Sequence, residues 1–136
     1  MNKIGGLLDG VKTIAIIGLS DNPDRPSYCV ASYLKSQGYT IIPVNPQLSE
    51  VLGEKAYPTL SAIPPDIKID IVDIFRRPEL VMPHIQEAVN RGDVKTIWLQ
   101  EGVSNPEAEK FVREHGLNVV ANSCLRKAHL KLHRHH

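Results

Sequence analysis

Five short apolar runs recur along the chain, starting near residues 13, 40, 69, 96 and 118. The first, Thr13-Ile14-Ala15-Ile16-Ile17, is rich in β-branched residues and shows no alternation of polar and apolar positions. A strand of that kind is buried on both faces, as in a parallel sheet. Helical patterns fill the gaps. One runs from Ser27 to Gln37, with Val30, Ala31 and Leu34 on one face and Gly38 as its stop. A second opens at Pro78, carries Val81, Ile85, Ala88 and Val89 on its apolar side, and closes at Gly92. A third opens at Asn105-Pro106-Glu107, lines up Ala108, Phe111, Val112 and His115, and closes at Gly116. A repeat of strand and crossover builds right-handed βαβ units. The 136 residues suit one domain with a real core. The expected fold is therefore α/β, a single Rossmann-like doubly wound domain with a five-stranded, mostly parallel sheet. It is expected to span residues 1–128, followed by a basic, His-rich tail at 129–136.

Local detail can also be read. Residues 2–10 suit a short helix weakened by internal glycines. Pro43 brings no N–H to a ladder, which predicts a short or irregular second strand. Asp70 and Asp73 are expected at the margins of the third strand, and Pro83 predicts a kinked helix. The stretch 47–68, broken by Pro58, Pro64 and Pro65, is expected to hold short turns, with one helical turn near Ser61.

Composition excludes several functions. Sixteen Lys and Arg face fifteen Asp and Glu, with no basic block in the body of the chain. General nucleic-acid binding needs a concentrated basic face. No apolar run approaches the roughly 20 residues of a membrane span. Cys29 and Cys124 form neither a disulfide framework nor a CxxC motif, so a reduced, cytoplasmic protein is expected.

In a doubly wound sheet the ligand crevice lies beyond the carboxyl ends of the strands. The residues there are Gly18-Leu19-Ser20, Asn45-Pro46, Phe75-Arg76-Arg77, Gln100-Glu101-Gly102 and Asn122-Ser123-Cys124. The first group opens a loop that runs through Asn22, Arg25 and Pro26 to Ser27, where a helix begins. Gly18 permits a sharp exit from the strand, Ser27 is placed to cap the helix, and Arg25 offers a guanidinium fork to phosphate. The loop suits a phosphate cradle; taken alone it equally suits an ordinary βα connection closed by an N-cap. Arg76 and Arg77 suit phosphate pairing or a solvated surface pair. The set favours a phosphorylated, aromatic-based ligand.

A dinucleotide is the first ligand to test. Its G-x-G-x-x-G fingerprint is reduced here to Gly18, with Ser20 in place of the second glycine. The acid that holds the ribose at the end of the second strand is replaced by Val44-Asn45-Pro46. No Gly-Lys-Ser/Thr of a P-loop occurs. The ligand class at this stage is phosphate-bearing, neither NAD nor a P-loop nucleotide.

Five ordered blocks then carry a resemblance: Gly18-Leu19-Ser20-x-Asn22-Pro23-x-Arg25-Pro26-Ser27-Tyr28, Ile42-Pro43-Val44-Asn45-Pro46, Gly53-Glu54-Lys55-Ala56-Tyr57-Pro58, Asp73-Ile74-Phe75-Arg76-Arg77-Pro78 and Trp98-Leu99-Gln100-x-Gly102-Val103. Over roughly residues 10–125 the chain resembles the small, single-domain coenzyme A-binding proteins. Those are similar in fold to the coenzyme A-binding domain of the succinyl-CoA synthetase α subunit. The resemblance implies coenzyme A in the crevice. The Ser20–Ser27 loop would hold phosphates, Asn45-Pro46 and Phe75-Arg76 would border the nucleotide, and Gln100-Glu101-Gly102 would lie near the same crevice. The family commonly shows Asp-Arg-Cys after the fifth strand, whereas this chain has Asn122-Ser123-Cys124.

Other residues have plainer readings. Trp98 suits the core or a stacking platform. Cys124 suits a half-buried thiol, or one facing the pantetheine arm from a helix N-terminus. His84 and His115 are expected to be structural. His129, His133, His135 and His136 are expected in a solvated tail or expression remnant. No nucleophile–base pair, paired carboxylate or metal cluster is supported by spacing. The sequence thus points to a stand-alone, non-catalytic coenzyme A or acyl-CoA binding protein, with self-association left open. The alternatives are a small thioester-processing enzyme using Cys124 or Glu101, and a dinucleotide-binding regulatory domain.

Overall fold

A computed structural model of the chain describes residues 3–133. The elements run α1 (Lys3–Leu8), β1 (Thr13–Ile17), α2 (Pro26–Ser36), β2 (Thr40–Val44), β3 (Glu50–Val51), β4 (Glu54–Lys55), β5 (Ile71–Ile74), α3 (Val81–Arg91), β6 (Thr96–Leu99), α4 (Pro106–Glu114), β7 (Asn118–Val120) and α5 (Leu125–His133). Short 3₁₀ turns at Leu60–Ala62 and Pro78–Leu80 complete the list. Five strands form one all-parallel sheet in the order β2-β1-β5-β6-β7. The chain leaves β1 toward β2, then returns to place β5 on the other side of β1. The winding therefore reverses between β1 and β5, and that is where an open α/β sheet binds ligands.

Alternate side chains feed two apolar layers. Ala15, Ile17, Val72, Ile74, Ile97 and Leu99 pack under α3 and α4. Ile14, Ile16, Ile71 and Trp98 pack under α1, α2 and α5. Burial on both faces explains the continuous apolar runs. Trp98 is wholly buried and donates its indole N–H to the Ser123 carbonyl at 2.8 Å, so it belongs to the core.

Several local expectations need correction. Pro43 does not interrupt β2: the strand is at the sheet edge, and the Pro43 carbonyl points outward to accept from Tyr57 N–H. A residue's N–H and C=O share a side, so the missing donor is one that β1 never required. The β3–β4 hairpin lies in the stretch expected to contain only turns. Pro83 falls in the first turn of α3, where backbone N–H groups lack partners anyway, so no kink is required of it. Asp73 is not at a strand margin. It sits inside β5 between Ile16 and Trp98, wholly buried, with neither carboxylate oxygen hydrogen-bonded.

The expected tail boundary at 128–129 falls within α5. His129 is buried, its Nδ1 lying 2.6 Å from the Tyr33 hydroxyl and its ring edge-on to Tyr33 and Tyr39. It joins α5 to α2 and is not a solvated tail residue. His135 and His136 lie outside the described residues. Among those residues, no helix is long and apolar enough to cross a membrane.

Candidate functional site

Beyond the carboxyl ends of β1, β2 and β5 lies a cleft with two lobes. The first lobe, about 340 Å³, is lined by Gly18, Ser20, Arg25, Pro26, Ser27 and Phe75. The second, about 420 Å³, has walls from Ile17, Val44, Pro46, Pro58 and Phe75, with Asn45, Gln47, Thr59, Arg76 and His84 as polar groups. Gly18 and Phe75 border both lobes. They are locked in place because Gly18 donates to Val44 O at 2.9 Å and Phe75 donates to Ile17 O at 2.9 Å. Gly18 has φ +82°, and a Cβ there would stand 2.5 Å from the Phe75 carbonyl oxygen.

The loop after β1 works differently from the expected cradle. Its N–H groups are largely spent on bracing: Ser20 N–H donates to Ser27 Oγ at 3.0 Å, Asn22 N–H to Ser20 Oγ at 3.0 Å, and Asp24 N–H to Asn22 Oδ1 at 2.9 Å. Ser27 is not the N-cap of α2. Arg25 holds that position, Pro26 is the first helical residue, and the Ser27 oxygen ties the loop down. The first intrahelical bond runs from Cys29 N–H to Arg25 O. The N–H groups of Ser27 and Tyr28 thus stand ahead of the ladder, as open donors at the positive end of an 11-residue helix. Arg25 is exposed beside them. The positive charge of this lobe comes from the helix start and Arg25, with the loop as scaffold.

Asn45 braces the neighbouring strand end. Its Nδ2 donates to Leu19 O at 3.1 Å and its Oδ1 accepts from Gln47 N–H at 2.9 Å. Leu19 itself is wholly buried, so its side chain belongs to the core and only its carbonyl serves the site.

The remaining sequence-derived residues are not brought into the cleft lining. Asn22 braces the loop from outside, and Arg77 is exposed ahead of the 78–80 turn. Gln100 is buried, its Oε1 accepting from Leu125 N–H at 3.2 Å, which makes it a cap for α5. Glu101 pairs with Lys127 at 3.0 Å. Gly102 N–H donates to Asn122 Oδ1 at 2.7 Å, and Asn122 takes the left-handed conformation at φ 52°. Cys124 is half-buried beside the apolar layer that holds Trp98 and Leu125. These residues knit the β6 and β7 ends to α5.

His84 is the functional candidate that sequence reasoning set aside. It projects from α3 into the second lobe. Its Nδ1 is buried 3.9 Å from Glu87 Oε1, and Glu87 is itself held by the Ser61 N–H and hydroxyl. Burial and then the Arg76 charge hold the imidazole below its usual range, with Glu87 pulling the other way. No sequence signal marks it, because only the docking of α3 beside β5 brings it to the β2 end.

A parallel sheet with its winding reversed at a cleft, flanked by a helix N-terminus and arginines, defines a Rossmann-like ligand-binding domain. Residues 12–129 match the model of the CoA-binding domain family, and the chain belongs to that family. It is 42% identical over 127 residues to the uncharacterized protein YneT of Bacillus subtilis, covering 93% of this chain and 92% of that one. It is 27% identical over 122 residues to the ADP-forming acetate–CoA ligase of Methanocaldococcus jannaschii, covering 84% of this chain. The match spans 17% of that ligase. Among solved structures, a hypothetical protein of Pyrococcus horikoshii superposes with TM-score 0.89 at 41% identity, covering 95% of this chain and 89% of that one. The cell-free ID.343 protein of Thermus thermophilus superposes with TM-score 0.90 at 38% identity, covering 97% and 99%.

Proposed function

We propose that this protein binds coenzyme A, free or acylated, in the two-lobed cleft, as a stand-alone and non-catalytic module. The observation that carries the reading is the division of the cleft at Gly18 and Phe75 into an anion-binding lobe and an apolar-walled lobe. A diphosphate suits the first, which Arg25 and the start of α2 at Pro26 and Ser27 line. A purine base suits the second, between Phe75 and the Val44, Pro46 and Pro58 walls. Gly18 lets the β1 and β5 backbones close up at the pinch between the lobes, since a Cβ there would stand 2.5 Å from the Phe75 carbonyl oxygen. The ligases that share the domain carry coenzyme A in their name, and this chain spans a small part of their length. The ligase chemistry is therefore not carried over. Cys124 and Glu101 are engaged away from the cleft lining, which supports binding without turnover.

Thermal unfolding of the purified protein with coenzyme A, and separately with NAD, tests the reading. A ligand bound only to the native state stabilises it by about 2.7 kcal/mol at a hundredfold excess over Kd. Coenzyme A should raise Tm and NAD should not; equal shifts would overturn the assignment. Free thiol is then followed during incubation with acetyl-CoA. Multiple turnovers that vanish in Cys124→Ser would replace the binding module with a thioester-processing enzyme.

A further inference from the structure

The cleft has two cationic corners, one on each side of Gly18 and Phe75. Arg25 occupies the first lobe, beside the start of α2. Arg76 and His84 occupy the second, within walls that are otherwise apolar or uncharged. A base and a diphosphate account for the apolar walls and one cationic corner. They leave the second corner without a partner. Coenzyme A differs from its dephospho form, from NAD and from ADP in bearing a phosphomonoester on its ribose, at the 3′ position. We propose that Arg76 and His84 form the site for that 3′-phosphate, with Arg76 as the permanent charge and His84 as a proton-gated donor. This rests on the coenzyme A reading and names the residues that would distinguish coenzyme A from its dephospho form.

The geometry of the imidazole supports the role. Nδ1 is buried toward Glu87, which leaves Nε2 as the nitrogen available to a ligand in the lobe. The charged groups around the ring are Glu87 on its own helix and Arg76 on the loop after β5. The β2 end and the 58–59 turn contribute the uncharged Asn45, Gln47 and Thr59. Burial and Arg76 disfavour the imidazolium in the free protein. A dianion lodged between Arg76 and His84 reverses that balance, so binding draws a proton onto Nε2 and strengthens as pH falls. Each unit by which binding raises the imidazole pKa is worth about tenfold in affinity once the pH lies below both values. A phosphomonoester has its second pKa near 6, so it stays largely dianionic down to about pH 6.5.

Titration calorimetry of the full chain with coenzyme A and dephospho-coenzyme A, at about pH 8 and about pH 6.5, is the test. Coenzyme A should bind the wild type about tenfold or more tightly than its dephospho form, consistent with one charge-assisted contact. That ratio should widen several-fold at the lower pH. His84→Gln should still bind coenzyme A while losing the pH dependence of the ratio. Arg76→Gln should bring the ratio close to one at about pH 8 while leaving it above one at about pH 6.5, where His84 still donates. Equal affinity of the wild type for the two ligands overturns the proposal and leaves the coenzyme A reading standing. A ratio in His84→Gln that follows pH as in the wild type also overturns it. Failure of both ligands to bind brings down the parent reading as well. The wild-type comparison needs no variant, so it decides the matter even if a substitution unfolds the chain.

Discussion

Gly18 and Phe75 meet across the reversal of the sheet so closely that a methyl group on Gly18 would stand 2.5 Å from the Phe75 carbonyl oxygen. That oxygen is backbone and cannot swing aside. The same contact forms the pinch between the two lobes, so packing and ligand geometry depend on one absent Cβ.

Gly18→Ala should therefore cost stability and binding together. The left-handed φ of +82° is worth about 1–2 kcal/mol against a residue with a Cβ, and the clash adds to it. For a domain of this size each kcal/mol moves Tm by about 4 °C. A Gly18→Ala protein with unchanged Tm and unchanged affinity for coenzyme A would show that the contact is not limiting.

Arg25 and Arg76 should separate by ligand. Arg25→Ala should weaken coenzyme A and dephospho-coenzyme A alike, by about 1.5–3 kcal/mol for a charge-assisted hydrogen bond. Arg76→Ala should weaken coenzyme A by a similar amount and leave the dephospho form nearly unchanged. Titration of both variants with both ligands checks this, and the reverse pattern would exchange the two corners.

Asp73 predicts an unusual pH response. Burial, with no partner for either oxygen, pushes its carboxyl well above the usual range. A carboxyl raised in the folded state contributes stability that is full below the unfolded value, near 3.8. That contribution is lost as pH rises through the folded value. Asp73→Asn cannot ionise, so its Tm relative to wild type should climb between about pH 4 and pH 7. Parallel Tm curves for the two proteins would mean that Asp73 titrates alike in the folded and unfolded chain.

Arg91 should be the costliest polar residue to remove. Its guanidinium donates to the carbonyls of Ile63 and Ile67 at 2.8 Å each, to that of Leu60 at 3.2 Å, and to Asp93 at 3.1 Å. Its side chain is 9% exposed. Burial alone would raise the Asp93 carboxyl, but hydrogen bonds from Arg91 and Ile69 N–H hold it below its usual range. Arg91→Ala strands that carboxylate and several carbonyls, at about 3–5 kcal/mol in chemical denaturation. Arg91→Lys should recover only part, since a point charge cannot span a fork. A loss under about 1 kcal/mol would show that water replaces the guanidinium at little cost.

The architecture was legible in the sequence because each of its signals is local. Unalternated apolar runs require strands buried on both faces. Asn105 followed by Pro106 reads as a helix start wherever it occurs, and its side chain accepts from Ala108 N–H at 3.1 Å as expected. Right-handed crossovers imply an open parallel sheet with its crevice beyond the carboxyl ends of the strands, while the strand order β2-β1-β5-β6-β7 came from the structure. Gly18, Ser20, Asn45, Pro46, Phe75 and Arg76 stood out as strand-end residues, and Arg25, Pro26 and Ser27 as the loop and helix start after the first strand; all nine line the cleft.

Only the tertiary structure decided which polar groups face the cleft and which hold the frame. Gln100 and Asn45 are both polar residues at strand ends, yet Gln100 caps α5 and Asn45 braces the cleft wall. The difference arises from neighbours about 25 residues away in sequence, which no local pattern records. His84, Thr59 and Pro58 join the second lobe because α3 and the 58–59 turn converge on the end of β2. His129 passes from an apparent tail to the core because α5 closes over α2 through Tyr33. A residue's type and its place on an element are properties of the chain. Its partners depend on packing between distant segments, and those partners determine whether a histidine, a glutamine or a buried aspartate serves the ligand or the fold.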